Sequence, residues 1–175
     1  MTKQRLVLGF DDIDQTQIAR VGGKGVHLAE LVRIESIRVP SGFCVTTAAF
    51  QRIMAETSAV DARLDELARL KADDRDAIRV LSENIRHAIE AVAIPKDLTE
   101  AVATMLAKLG DEKSVALVAH EPILSAVAAA LLHEKRYPAL RKAEALRIRL
   151  ADGPAVPGTL RWRIDGGTGT RERLR

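Results

Sequence analysis

Leu6-Val7-Leu8-Gly9-Phe10 is a short apolar run closed by Asp11-Asp12, and its length predicts a buried strand. Gly22-Gly23-Lys24-Gly25 follows, after which Val26, Leu28, Leu31 and Val32 fall at helical spacing to about Arg33. Val39-Pro40-Ser41-Gly42 signals a turn, and Phe43-Cys44-Val45 predicts a second short strand. A helix is expected from Ala48 to about Glu56. Thr46 or Thr47 would cap it, because a threonine oxygen accepts an otherwise unpaired first-turn N–H.

Three further amphipathic helices are predicted. Val60, Leu64, Leu67 and Leu70 step by helical intervals. Asp73 or Asp74 would cap a long helix with the stripe Ile78, Leu81, Ile85, Ile89 and Val92, ended by Pro95. Leu98, Val102, Met105, Leu106 and Leu109 form the third stripe, with Gly110 as its C-terminal cap. Each such side chain contributes roughly 1.5–3 kcal/mol once fully buried, so these stripes require a partner surface.

The pattern changes at Lys113. Val115-Ala116-Leu117-Val118-Ala119 is an apolar run of strand length, and Pro122 suits the first turn of a helix through Ile123, Val127, Leu131 and Leu132. Leu146 to Leu150 and Leu160 to Ile164 both alternate with period two. Gly153-Pro154 and Pro157-Gly158 lie between them, a hairpin-like connection. Residues 166–175 read as a flexible basic tail. The fold class is α/β, helix-rich first and β-α-β-β afterwards.

Composition bounds the function. The 175 residues are 47% hydrophobic and 29% charged, as in a folded globular protein. Aromatics at 3% argue against base-stacking platforms and hence against nucleic acid. Cys44 is the single cysteine, which excludes an internal disulfide framework and a cysteine-rich zinc site and fits a reducing cytoplasm. No apolar run reaches the roughly 18–20 residues of a membrane span, and the start lacks the apolar core of a signal peptide. Charge is uneven. Residues 1–112 carry 15 Lys and Arg against 18 Asp and Glu, net −3, whereas 113–175 carry 12 against 6, net +6. A basic arm or the joining of two stretches of different history would explain it, and the change of pattern at Lys113 favours the second.

Two places carry chemistry. At Gly22-Gly23-Lys24-Gly25, N–H groups of a helix start and the positive end of its dipole form a phosphate site, with Lys24 adding a mobile charge. The spacing fits neither a Walker A loop nor the dinucleotide fingerprint, and a tight turn with a solvated lysine is the alternative. His120 directly follows a strand and precedes a helix, a common position for a functional side chain in α/β folds, though a structural histidine is the alternative.

The runs LVLGFDDID, VGGKGVHLAELVRI and IRVPSGFCVTTAAF resemble the start of the ATP-binding domain of the phosphoenolpyruvate synthase and pyruvate phosphate dikinase family. With LDELARLKADDRDAI and AIPKDLTEAVATMLAKLG, the likeness is to its rifampicin phosphotransferase branch, over residues of about 5–112. The resemblance implies a partial ATP-grasp segment, ATP with Mg²⁺ as cofactor, and Lys24 on the nucleotide phosphates. It also implies a strand ending in an arginine and serines; here that place reads Val115-Ala116-Leu117-Val118-Ala119-His120, so the arginine is replaced by Val118 or lies outside this chain. The remaining ATP-grasp lobe, the swivelling domain with its phosphorylated histidine and an acceptor domain are absent from the pattern. Lys24 and a few N–H groups do not supply the ligands and charge clamp of phosphoryl transfer, so an incomplete ATP-binding module is expected.

The stretch SVALVAHEPILSAVAAALL, with ALRIRL and GTLRWRI, resembles the closing half of a phosphohistidine phosphatase over residues of about 113–165. That likeness implies that His120 helps to bind a phosphoryl group and that the partner is a phosphohistidine protein. Its nucleophile belongs in an Arg-His-Ala motif after a first strand. Arg86-His87-Ala88 is the one such match, and it lies inside a predicted helix with no strand before it. Without a nucleophile, covalent transfer through His120 is incomplete. A non-catalytic fusion or vestigial product is the third reading.

The other candidates have simpler accounts. Cys44 reads as a small buried hydrophobe, and His27 and His133 lack partners at metal-ligand spacing. Asp11, Asp12 and Asp14 do not fit an EF-hand loop, so no metal site is expected. Arg171, Arg173 and Arg175 could hold polyanions nonspecifically, or be a solvated terminus.

Overall fold

The computed structural model describes residues 5–55, 58–110, 112–150 and 157–173. Gly153-Pro154, Glu56 and Arg175 of the sequence reading lie outside them. The chain divides into two compact units between Ala119 and His120.

The first unit is built on a three-stranded sheet in the order β1-β2-β3. β1 is Val7–Gly9, followed by a single 3₁₀ turn at Phe10–Asp12. β2, Ser41–Val45, pairs antiparallel with β1, Leu8 lying opposite Cys44. β3, Val115–Val118, pairs parallel with β2, Ser41 opposite Val115 and Cys44 opposite Val118. The run expected to open the second segment at residue 113 therefore completes the first unit's sheet. Gly42 makes this pairing possible, since a Cβ there would lie 2.3 Å from the Ala116 carbonyl oxygen and 2.6 Å from the Phe10 ring.

Helix α1, Ile18–Val32, lies against this sheet. Val21, Val26 and Ala29 join Leu8, Phe10, Ile13 and Cys44 in one buried cluster, with Leu28, Val32, Ala116 and Val118 packed around it. Helices α2 (Thr47–Ala55), α3 (Ser58–Arg69), α4 (Arg75–Glu90) and α5 (Lys96–Lys108) connect β2 to β3. A second cluster of Val60, Leu81 and Ile85, edged by Met54, Leu67, Leu70 and Ile89, holds α3 against α4. Leu64, expected in that stripe, is 46% exposed because it falls at the margin of the face that Val60, Leu67 and Leu70 define.

The caps differ from expectation. Thr46 Oγ1 donates to the carbonyls of Arg5 and Leu6, at 3.1 and 3.2 Å, and Thr47 Oγ1 donates to the Ala19 carbonyl. Both hydroxyls thus tie α2 to other elements. Asp74 does precede α4, but its carboxylate accepts from the Lys71 N–H behind it rather than from the helix. Pro95 is the residue before α5 and not the end of α4. Gly110 donates to the Ala107 carbonyl without entering the left-handed region, so α5 ends on a tightened turn.

The second unit contains α6, Ile123–Leu132, and a sheet in the order β4-β5-β6. β4 is Ala145–Arg149, β5 Thr159–Ile164 and β6 Arg171–Arg173, and both pairings are antiparallel. The tail read as flexible is in part this third strand. Asp165 organises the turn by accepting from the N–H groups of Gly167 and Thr168, and the chain closes through Gly169 at φ 67°. Those hydrogen bonds hold the Asp165 carboxyl below its ordinary range.

Candidate functional site

The glycine–lysine turn breaks α1 into two. Gly22 adopts φ 72° and ψ 167°, non-helical values inside an otherwise helical segment. That region is essentially confined to glycine, because a side chain would meet its own backbone. A second helical stretch therefore begins at Gly23 and runs to Val32. In a new helix the first N–H groups have no carbonyl four residues back, and the dipole's positive end lies among them.

The three glycines differ in role. Around Gly22 and Gly23 the space is open, for a Cβ at either would meet nothing within 4 Å. Gly25 is buried, and a Cβ there would lie 2.8 Å from Cys44 Sγ and 3.1 Å from Val21. Its missing side chain lets α1 approach β2; it serves packing rather than an anion. Lys24, between the open and the buried glycines, is exposed. A backbone forced open at Gly22, unfilled space beside Gly23 and one free-standing cation make a shape and charge suited to phosphate.

The neighbouring groups are committed elsewhere. Arg33 Nη2 donates to the Ile13 carbonyl at 2.6 Å, holding the C-terminus of α1 to the segment after β1. Arg20 donates to Gln17 Oε1 at 2.9 Å. Asp14 caps the turn before α1 by accepting from the Thr16 N–H and hydroxyl, which keeps its carboxyl below the usual range. Asp12 pairs with Arg5 at 3.2 Å. Among the described residues no three His, Cys, Asp or Glu gather where a metal could be held. Asp12 and Asp14, the carboxylates placed here, are thus engaged by Arg5 and Thr16.

At the end of β3, Val118 packs against the Leu8–Cys44 cluster and contributes apolar surface to the core. Cys44 is fully buried, and burial pushes its thiol up to about 11, so it is not a nucleophile at neutral pH.

His120 is exposed and opens the second unit, its carbonyl accepting from the Ile123 N–H at 3.0 Å. His87 is exposed on α4 in the first unit, with no strand before it, as its sequence context indicated. Of the His-Glu-Pro motif, Glu121 has the clearest role. Its carboxylate accepts from the Ser125 hydroxyl at 2.6 Å, the Ser125 N–H at 3.3 Å and the Leu140 N–H at 2.8 Å. It fixes the start of α6 to the loop before β4. The sequence reading passed over it; the signal was a carboxylate placed four residues before a serine at a helix start.

Residues 18–124 match the model of the pyruvate phosphate dikinase AMP/ATP-binding domain, and the chain belongs to that family. The match takes in the glycine–lysine turn and runs through β3 past His120. A rifampicin phosphotransferase of Streptomyces sviceus is 49% identical over 114 residues, 65% of this chain and 13% of the relative. One of Bacillus subtilis is 46% identical over 112 residues, 64% and 13% respectively. A probable phosphoenolpyruvate synthase of Archaeoglobus fulgidus is 37% identical over 84 residues, 48% and 11%. The chain thus spans about 13% of the length of these two rifampicin phosphotransferases.

Proposed function

We propose that this chain is an incomplete ATP-binding module of the phosphoenolpyruvate synthase type, a partial ATP-grasp segment. In this reading the N–H groups that follow Gly22 and the ammonium of Lys24 receive the nucleotide phosphates. The observation that carries the reading is the glycine-only break at Gly22, which starts a helix beside open space inside a family-matched region. Charge balance limits it to binding. One lysine and a helix terminus leave the charge of a transferring phosphoryl group largely uncompensated, and β3 ends on the apolar Val118.

The test is ATP-dependent thermal stabilisation of the full chain. A ligand at ten times its Kd that binds only the folded state stabilises it by about 1.4 kcal/mol. Wild-type protein should show such a shift, and Lys24→Ala should lose it while keeping its unliganded midpoint, since Lys24 is exposed. Equal ATP response in the two proteins refutes the reading.

A second reading is a phosphohistidine-phosphatase-like remnant using His120. It is favoured by the exposed imidazole at a helix start that Glu121 anchors. Phosphate release from a phosphohistidine protein, lost in His120→Ala, supports it. If neither activity appears, the vestigial reading stands.

A further inference from the structure

The second unit carries eleven Lys and Arg against six Asp and Glu, net +5, and its sheet sorts those charges by face. Opposite residues of an antiparallel pair share a face. Arg147 lies opposite Trp162 and Arg149 opposite Thr159, which requires the one-residue irregularity of β5 between those two pairs. Arg171 lies opposite Ile164 on β6, with its guanidinium carbon 5.1 Å from the centroid of the Trp162 ring. Arg147, Arg149 and Arg171 are all exposed. The opposite face holds Leu146, Ile148 and Leu160, half-buried on the side where Gly158 meets both Ile148 and the Leu131 carbonyl of α6.

Among the described residues, the acids of the sheet do not neutralise this face. Glu144 is engaged by Arg163, Glu172 lies opposite Arg163 on the α6 side, and Asp165 is spent on its turn and on Arg141. Among the described residues, Arg147, Arg149 and Arg171 make no ion pair with a carboxylate. Arg147 and Arg149 are two strand positions apart, about 7 Å, a spacing suited to successive phosphates of an extended strand. The third arginine lies over the ring of the one tryptophan, so a base would stack on the guanidinium that covers it.

We propose that this face of the β4-β5-β6 sheet binds single-stranded nucleic acid. Arg147 and Arg149 take adjacent phosphates, and a base stacks on the guanidinium that covers Trp162, a combination of charged track and aromatic platform that tolerates any sequence. The low aromatic content argued against such a surface. The fold offsets that scarcity by placing the single tryptophan among unpaired arginines. The proposal does not depend on the ATP-binding reading, since all its residues lie in the other unit.

Trp162 is the only tryptophan, so intrinsic fluorescence reports from this face alone. Full-length protein should bind oligo(U) and oligo(dT) with quenching of that signal. Two neutralised phosphates give a slope of log affinity against log salt of about −1.4. Affinity should therefore fall about 7-fold between 50 and 200 mM salt. Arg147→Gln/Arg149→Gln should leave a slope near zero. Lys135→Gln/Arg136→Gln, which removes the same charge from exposed positions off the sheet, should change neither slope nor quenching. Preference for oligo(U) or oligo(dT) names the strand. No quenching at 50 mM salt, equal weakening by the two double variants, or quenching by phosphatidylserine vesicles but not by oligonucleotide each overturns the proposal.

Discussion

Adjacent glycines at positions 22 and 23 should respond to alanine with opposite signs. Both stand in open space, where an added Cβ meets nothing within 4 Å, so collision with other parts of the chain plays no part in either. Gly22 sits at φ 72° and ψ 167°, and alanine held there costs about 1–3 kcal/mol. Gly23 is helical, and alanine there should gain about 0.4–1 kcal/mol, because the unfolded chain loses freedom that the folded one never used. The variants should therefore be separated by about 1.5–4 kcal/mol. For a cooperative unit of this size, 1 kcal/mol moves the thermal midpoint by roughly 2–8 °C. Thermal unfolding followed by far-UV circular dichroism, backed by urea midpoints, reads this directly. Equal midpoints for the two variants, or a neutral Gly22→Ala, would show that the chain does not need the break in α1, and the anion cradle loses its physical basis.

Gly25→Ala should destabilise by about 1–3 kcal/mol through overpacking against Cys44, and Cys44→Ala in the same chain should recover part of it; strict additivity would refute the contact. The Cys44 thiol, raised by burial from about 9 to about 11, contributes stability that is complete below pH 9 and lost as pH rises toward 11. The slope approaches 1.4 kcal/mol per pH unit, and Cys44→Ala should remove that increment from urea midpoints taken across the window. Glu121→Ala strands the Leu140 N–H, while the Ser125 hydroxyl keeps the Pro122 carbonyl, at a cost of about 1–3 kcal/mol, read as faster amide exchange at Leu140. Ending the chain at residue 112 rather than 122 removes β3 and exposes the Cys44 edge of the sheet; equal midpoints for the two lengths would contradict the assignment of β3 to the first unit.

Element types were legible in the sequence, and partners were not. The run Val115–Ala119 announced a strand by length and composition, yet nothing in it says that it pairs parallel with β2 across four intervening helices. Periodicity reports which face is apolar and leaves open what covers it. The glycine–lysine turn shows the same limit. Gly22 and Gly25 read alike, but one is required by its dihedral angles and the other by a sulfur atom from a strand some twenty residues on. Local signals were also misjudged. The Asp-Gly-Gly-Thr-Gly run before β6 has the composition of an ordered turn, whereas the polar Arg-Glu-Arg after it looked like a solvated end.

Magnitudes settle what the cradle can do unaided. A helix terminus contributes about 0.3–1 kcal/mol to a nearby anion, and up to about 2 where partly buried. A charge-assisted hydrogen bond from Lys24 adds about 1.5–3 kcal/mol. Together these reach roughly 2–5 kcal/mol, against about 4 kcal/mol for a millimolar Kd. Enzymes lower barriers by about 8–23 kcal/mol, so the same groups fall far short of transition-state stabilisation even if all their energy appeared there. Val118, at the end of β3, is packed on the Leu8–Cys44 cluster. An arginine placed there would bury its stem in the core before its head reached solvent, at a cost in packing. Millimolar nucleotide affinity carried by Lys24 is the behaviour this geometry supports; micromolar affinity would require contacts that these residues do not provide.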